Sequence, residues 1–235
     1  MQAAAGLPLL AVLAVLAGCG DAPLSALHPA GPAAAAIATA WWWMAGGAAL
    51  ILLGVLALAA WVLRRGRARL SERGARRLVW GAGVAFPLAV LTLLLAYGLG
   101  LGDALLPQAA GHDVYRVEVT GRQWQWEVRY PDAPGGARQS SNEIHVPVGR
   151  AIDVHVSAAD VIHSFWVPRL GGKIDAIPGR ENTVRLRADA PGVYEGLCAE
   201  FCGLGHAGMR MRVVAHDDAA LAARLRTLAI AQEAP

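Results

Sequence analysis

Two long stretches of this sequence lack charge altogether. Ala22 to Leu63 contains no Asp, Glu, Lys or Arg, and neither does Leu78 to Gly102. Each run exceeds the roughly 20 apolar residues that span a bilayer, and a buried core helix rarely runs so far uncharged. Together with a hydrophobic content of 55% in 235 residues, this excludes an ordinary soluble single domain. The segment between the runs, RRGRARLSERGARR, has no acid except Glu72 to set against seven arginines. By the positive-inside rule that loop is cytoplasmic, so the N-terminus and everything after Gly102 lie on the outer side. Cysteine is scarce, with three in the chain. No CxxCH occurs, which excludes attachment of a c-type haem to this sequence, and no internal repeat is visible.

The formal net charge of +3 is a consequence of this topology. The loop carries a net +6, whereas residues 103–235 hold 16 acids against 14 bases. A nucleic-acid partner is therefore not implied; the first partner is membrane lipid.

The opening MQAAAGLPLL has neither Lys nor Arg, which departs from the positive start of an export signal. Leu7 to Ala17 is nevertheless a short apolar stretch leading into LAGC, Leu16 to Cys19. It resembles the lipobox of bacterial lipoproteins, which implies lipidation of Cys19. The chain then partitions into a signal and lipobox segment (1–19), membrane helix one (37–63), the basic cytoplasmic loop (64–77) and membrane helix two (78–102). An exported β domain (111–216) and a tail with a short helix (217–235) follow. Trp41, Trp42 and Trp43 suit a membrane interface, and Pro87 should kink or loosen helix two.

Beyond Asp103 the pattern changes to period two. Tyr115, Val117 and Val119 alternate with Arg116, Glu118 and Thr120, and Ile144, Val146 and Val148 with His145 and Pro147. Ile152, Val154 and Val156 alternate likewise with Asp153, His155 and Ser157. Further strands are expected at 183–187, 193–197 and 209–214, separated by PDAPGG, PVGR, LGG, IPGR and APG turns. Many short strands with Gly/Pro turns predict a β-sandwich or barrel of about 110 residues. A terminal helix is expected over Ala219–Ala231, with Leu221, Leu225 and Leu228 on one face.

The chemistry concentrates in CAEFCGLGHAGM, Cys198 to Met209, which holds two cysteines, a histidine, a methionine and a glutamate. A disulfide, a zinc site, a redox thiol pair and a copper site are all open. A disulfide leaves His206 and Met209 unused, and zinc does not ordinarily take a thioether. Soft thiolate and thioether with imidazole favour copper, and two cysteines instead of one suggest two copper ions sharing thiolates. His163, in ADVIHSFWVP, is the best remote histidine, with Phe165, Trp166 and Phe201 expected to keep the site dry. His145 and His155 fall on polar strand faces, and His28, His112 and His216 in loops or near the end; these read as solvated or hydrogen-bonded side chains.

The motifs TGRQWQWEVRYP (120–131), NEIHVPVGR (142–150), ADVIHSFWVPRLGGKIDAIPGR (159–180) and GVYEGLCAEFCGLGHAGM (192–209) resemble subunit II of the haem–copper cytochrome c oxidases. The resemblance covers nearly the whole chain after the signal. It implies a membrane-anchored all-β protein: a transmembrane helical hairpin followed by a cupredoxin-like Greek-key β-barrel with a binuclear CuA centre. It further implies that Cys198 and Cys202 bridge two coppers, that His163 and His206 each bind one, and that Met209 sulfur and the Glu200 carbonyl are weak ligands. The Glu200 side chain is then directed to a magnesium or manganese ion at the boundary with subunit I. Trp124 is implied as the residue at which cytochrome c delivers electrons, on the way to haem and oxygen reduction in subunit I, with subunit III as a further partner. The implied location is the bacterial inner membrane, with the CuA domain periplasmic.

Two positions depart from the family pattern. Gln125 stands where tyrosine is usual between the two tryptophans, and Trp80 stands where the family often has a glutamate leading to a proton pathway. A copper-free quinol oxidase subunit II would share the scaffold, but all six ligand positions are filled here. A thioredoxin-like copper chaperone also uses C-x3-C, although near a βαβ unit and not at the end of a β domain.

Overall fold

The computed structural model describes residues 22–65, 71–107 and 114–231. Cys19 and His112 lie outside the described residues. The chain divides into two compact units, one of Thr39–Leu106 and one uniting the residues up to Ala38 with those from Pro107 onward.

Among the described residues, two helices are long and apolar enough to cross a membrane. Helix α1 runs Pro32–Arg65, starting ahead of residue 37 because Pro32 is preset for a first helical turn and the alanines after it are the strongest helix formers. Helix α2 runs Glu72–Leu105. It begins inside the segment expected as loop, where the Ser71 hydroxyl accepts from the Gly74 N–H and caps the first turn. Its turns are π-helical over Leu78–Ala85, directly before Phe86 and Pro87. Proline lacks the N–H that an α-helical carbonyl needs, and the widened turn is the loosening expected there.

The second unit is a β-sandwich, as the period-two pattern predicts, and it has the cupredoxin-like fold that the resemblance implies. Its strands are β1 Tyr115–Arg122, β2 Gln125–Tyr130, β3 Arg138–Ser141, β4 Glu143–Pro147, β5 Ile152–Ala158 and β6 His163–Trp166, followed by β7 Ile174–Ala176, β8 Asn182–Leu186, β9 Gly192–Cys198, β10 Arg210–His216 and β11 Ala229–Ile230. One sheet has the order β11-β3-β2-β1-β5-β8 and the other β4-β10-β9-β6-β7. The β1–β5 and β4–β10 pairs are parallel and the other ladders antiparallel, so the chain crosses repeatedly between sheets. Inward residues of both sheets, among them Val117, Val119, Trp126, Val154, Ile144, Phe165 and Val213, close one core.

The short polar strand β3 carries no alternation signal; it exists because β2 and β11 pair with it. The terminal helix, α3, is shorter than expected, Asp218–Thr227. Leu228 turns extended so that Ala229 and Ile230 can pair with Gln139 and Arg138. Leu221 and Leu225 are its buried face.

The segment before α1 also belongs to this unit. The Ala30 N–H donates to the Arg169 carbonyl at 2.7 Å, and the Asp189 N–H to the Ala30 carbonyl at 2.9 Å. A Cβ on Gly31 would collide with the Arg187 carbonyl, so a side chain there has no room.

His145 is a hydrogen-bonded histidine, as expected, but it lies in the interior and not on a polar strand face, being only 1% exposed. At the end of β10 away from Met209, its Nδ1 lies 3.0 Å from His216 Nε2 and its Nε2 3.1 Å from Arg224 Nε. Arginine can only donate. His145 Nε2 is therefore the acceptor, and the proton of the neutral ring sits on Nδ1, facing His216.

Candidate metal centre

Strand pairing brings the remote pieces together. Phe165 of β6 pairs with Cys198 at the end of β9, so His163 stands beside the first cysteine. The loop from Cys198 to Met209 is pinned at its base, where the Cys198 N–H donates to the Met209 carbonyl at 3.0 Å. A short 3-10 turn, His206–Gly208, returns the chain to β10, and Gly203 (φ 118) supplies the positive φ that the reversal needs.

The six positions implied by the resemblance converge on one spot. Cys198 Sγ lies 3.9 Å from Cys202 Sγ, 3.9 Å from His163 Nδ1 and 3.2 Å from the Glu200 carbonyl oxygen. Cys202 Sγ lies 3.7 Å from His206 Nδ1 and 3.8 Å from Met209 Sδ. The ligand atoms of His163, Cys198 and Cys202 all fall within 4.8 Å of one another. His163, both cysteines and Met209 are buried, while His206 is half-buried. Two soft thiols, two imidazole nitrogens and a thioether form a donor set that suits copper. Burial, then the adjacent Cys198, pushes the Cys202 thiol up to about 11. A bound cation reverses that preference, because a coordinated thiol is held deprotonated.

Asp160, which sequence reasoning missed, orients the His163 ring. One carboxylate oxygen lies 2.8 Å from His163 Nε2 and accepts from the Val161 N–H, and the other accepts from the Gln123 N–H at 2.7 Å. Partial burial opposes the charge, but the Gln123 N–H, the His163 ring and the Val161 N–H outweigh it and hold the carboxyl down at about 2. A carboxylate on the outer nitrogen fixes the ring so that Nδ1 faces the thiols. Its signal was its position three residues before His163 in ADVIH.

The shielding differs from expectation. Phe165 is buried, but Phe201 is 76% exposed, edge-on to the His206 ring, because the loop turns it outward. Trp126 takes the inner position instead, fully buried and edge-on to His163 with ring centroids 5.9 Å apart. His163 itself packs against Gly121, where a Cβ would come within 2.8 Å of the ring.

Trp124 is half exposed and lies over Gly203 and Gly205 of the ligand loop, where a Cβ on Gly205 would meet the indole. The neighbouring Gln123 donates from its side-chain amide to the Cys202 carbonyl at 2.7 Å. On another side of the loop, the exposed Glu200 carboxylate lies 3.9 Å from Lys173 Nζ, which pairs with Asp175 at 2.7 Å. His28, His155 and His216 are not part of the cluster.

Residues 136–216 match the family model described as cytochrome C oxidase subunit II, periplasmic domain. The chain is 33% identical over 222 residues to cytochrome c oxidase subunit 2 of Alkalihalophilus pseudofirmus, covering 89% of this chain and 64% of that one. To the subunit 2 of Cereibacter sphaeroides it is 31% identical over 212 residues, covering 73% of this chain and 68% of the relative. The Synechocystis counterpart is 39% identical over 118 residues, and there the match spans 34% of its length. Among solved structures, the periplasmic domain of subunit II of cytochrome oxidase of Bradyrhizobium japonicum matches with 36% identity and a TM-score of 0.47, over 52% of this chain and 95% of that one.

Proposed function

This chain belongs to the cytochrome c oxidase subunit II family, and from that premise we propose that it is the electron-accepting subunit of a bacterial terminal oxidase. In this reading the 111–216 domain is periplasmic, electrons arrive from cytochrome c at Trp124, and they leave toward the haem of subunit I, where oxygen is reduced to water. The observation that carries the proposal is the convergence of His163, Cys198, Cys202, His206 and Met209, with successive donor atoms 3.7 to 3.9 Å apart.

Copper held there, as a pair of ions, would supply one-electron redox chemistry. The chain's own residues supply the rest. Cys198 and Cys202 sit between the two histidines, so each thiolate is placed to be shared. Asp160 and Gly121 lock the His163 ring, which limits how far a ligand can move when charge changes. Trp126 and Phe165 exclude water on the inner side. Trp124 offers an exposed indole in contact with the ligand loop, which suits a transient donor. Glu200 places its carbonyl toward Cys198 and its carboxylate outward, where an interfacial magnesium or manganese ion shared with subunit I belongs in this reading. Subunit III and a lipidated Cys19 complete the proposed assembly.

The test is Trp124→Ala in the assembled oxidase. Slowed electron uptake from cytochrome c with unchanged copper content is the expected result. Loss of copper in that variant would make Trp124 a packing residue and contradict its proposed role.

A further inference from the structure

Gln123 adjoins Trp124 in the chain and is hydrogen-bonded to both ligand-bearing parts of the site. Its main-chain N–H donates to Asp160 Oδ2, whose other oxygen holds His163. Its side-chain amide donates to the carbonyl of Cys202. Both contacts are 2.7 Å, at the short end for N–H···O bonds. The next residue is the tryptophan that covers Gly203 and Gly205.

We propose that Gln123 is a positioning residue that clamps the β1–β2 turn onto the ligand loop, holding the Trp124 ring against Gly203–Gly205 for electron transfer. The proposal rests on the electron-accepting role given above and names the group that sets its geometry. Trp124 has no hydrogen bond of its own to the ligand loop among those described; its placement there depends on van der Waals contact and on the turn. The Asp160 contact anchors the turn to the His163 side through the backbone, which no side-chain substitution at position 123 removes. The Cys202 contact is made by the side chain alone. Removing it frees the turn from the thiolate-bearing half of the site while leaving the support of His163 in place.

A docking role for Gln123 predicts something different. A side chain that only touches the incoming donor changes how tightly the donor binds. A side chain that places Trp124 changes how fast an electron moves once the donor is bound. The two are separable in steady-state and single-turnover kinetics.

The test uses the complete oxidase with Gln123→Met, which keeps length and loses the donor, and Gln123→Glu, which sets an acceptor against the Cys202 carbonyl. In both, the expected saturated rate of electron uptake from reduced cytochrome c falls on the order of fivefold, the factor by which one hydrogen bond's net worth shifts a two-state population. The half-saturating cytochrome c concentration and the copper content should stay as in the unaltered oxidase. A raised half-saturating concentration with an unchanged saturated rate overturns the proposal in favour of docking, and unchanged kinetics in both variants overturn it outright. Copper loss in both also overturns it, making Gln123 a requirement of metal binding. Copper absent from the unaltered oxidase would instead refute the electron-accepting role, so the two failures are distinguishable.

Discussion

His163 Nε2 lies 2.8 Å from a carboxylate oxygen of Asp160, while Nδ1 of the same ring faces Cys198 Sγ at 3.9 Å. The ring is thus held from behind in the orientation that presents Nδ1 to the thiols. Asp160→Ala removes that support, and with it the acceptor for the Gln123 N–H. Losing such an outer partner typically costs 10- to 100-fold in metal affinity. Copper titration of the variant against the unaltered chain should show a loss in that range; unchanged affinity would mean that packing on Gly121 alone orients His163.

The contact between Trp124 and the ligand loop requires a residue without a side chain. A Cβ on Gly205 would sit 2.8 Å from Trp124 Cε3 and closer still to the pyrrole edge of the ring. Gly205→Ala is therefore expected to push the indole off the loop and slow electron uptake from cytochrome c. Copper content should be retained, because no donor atom is touched. Uptake at the normal rate would show that contact with Gly205 is not needed.

Acid should loosen the opposite end of β10. Burial first, and then the charge of Arg224, lower His145 from 6.5 to about 4, and the same causes lower His216. Glu143, which also faces Arg212 and Arg224, opposes this only in part; Tyr130 and Tyr115 meet the His145 main chain, and Asp217 adjoins His216 in the chain. Both histidines have folded pKa values below the unfolded ones, so between about pH 6.5 and 4 the unfolded chain binds more protons. Stability is complete above that window and falls as the pH drops through it, by on the order of 3 kcal/mol for His145. Denaturant unfolding of the β unit should show this slope, and Arg224→Met should make it shallower. A slope unchanged by the substitution would contradict the arrangement.

The segment ahead of α1 should stabilise the β unit. Gly31→Ala forces it away from the Arg187 carbonyl, and overpacking of this kind costs about 1–3 kcal/mol. A lowered unfolding midpoint is expected for the β unit, and an unchanged midpoint would show that the segment rests there without contributing.

Much of this site was legible because its parts announce themselves chemically. Two cysteines, a histidine and a methionine within Cys198–Met209 admit few chemistries, alternation exposed β1, β4 and β5, and the turns between them bracketed β8, β9 and β10. What alternation could not expose were contacts made by the fold. Strand β3 is polar and exists through its partners. Phe201 has the composition of a shielding residue but the loop turns it outward, and Trp126 shields from a strand distant in sequence. Asp160 and Gln123 are ordinary polar residues until β6, β9 and the β1–β2 turn bring them within hydrogen-bonding distance. His145 falls on the polar face of β4 by parity, yet α3 and β10 cover it and supply its hydrogen-bond partners.

Copper stoichiometry with electron paramagnetic resonance on the purified chain tests the central claim most directly. Two copper ions per chain, with one unpaired electron shared between both nuclei, are predicted, and both features should be lost on Cys198→Ser or Cys202→Ser. A single copper ion with a localised electron, or a preference for zinc, would contradict the binuclear site.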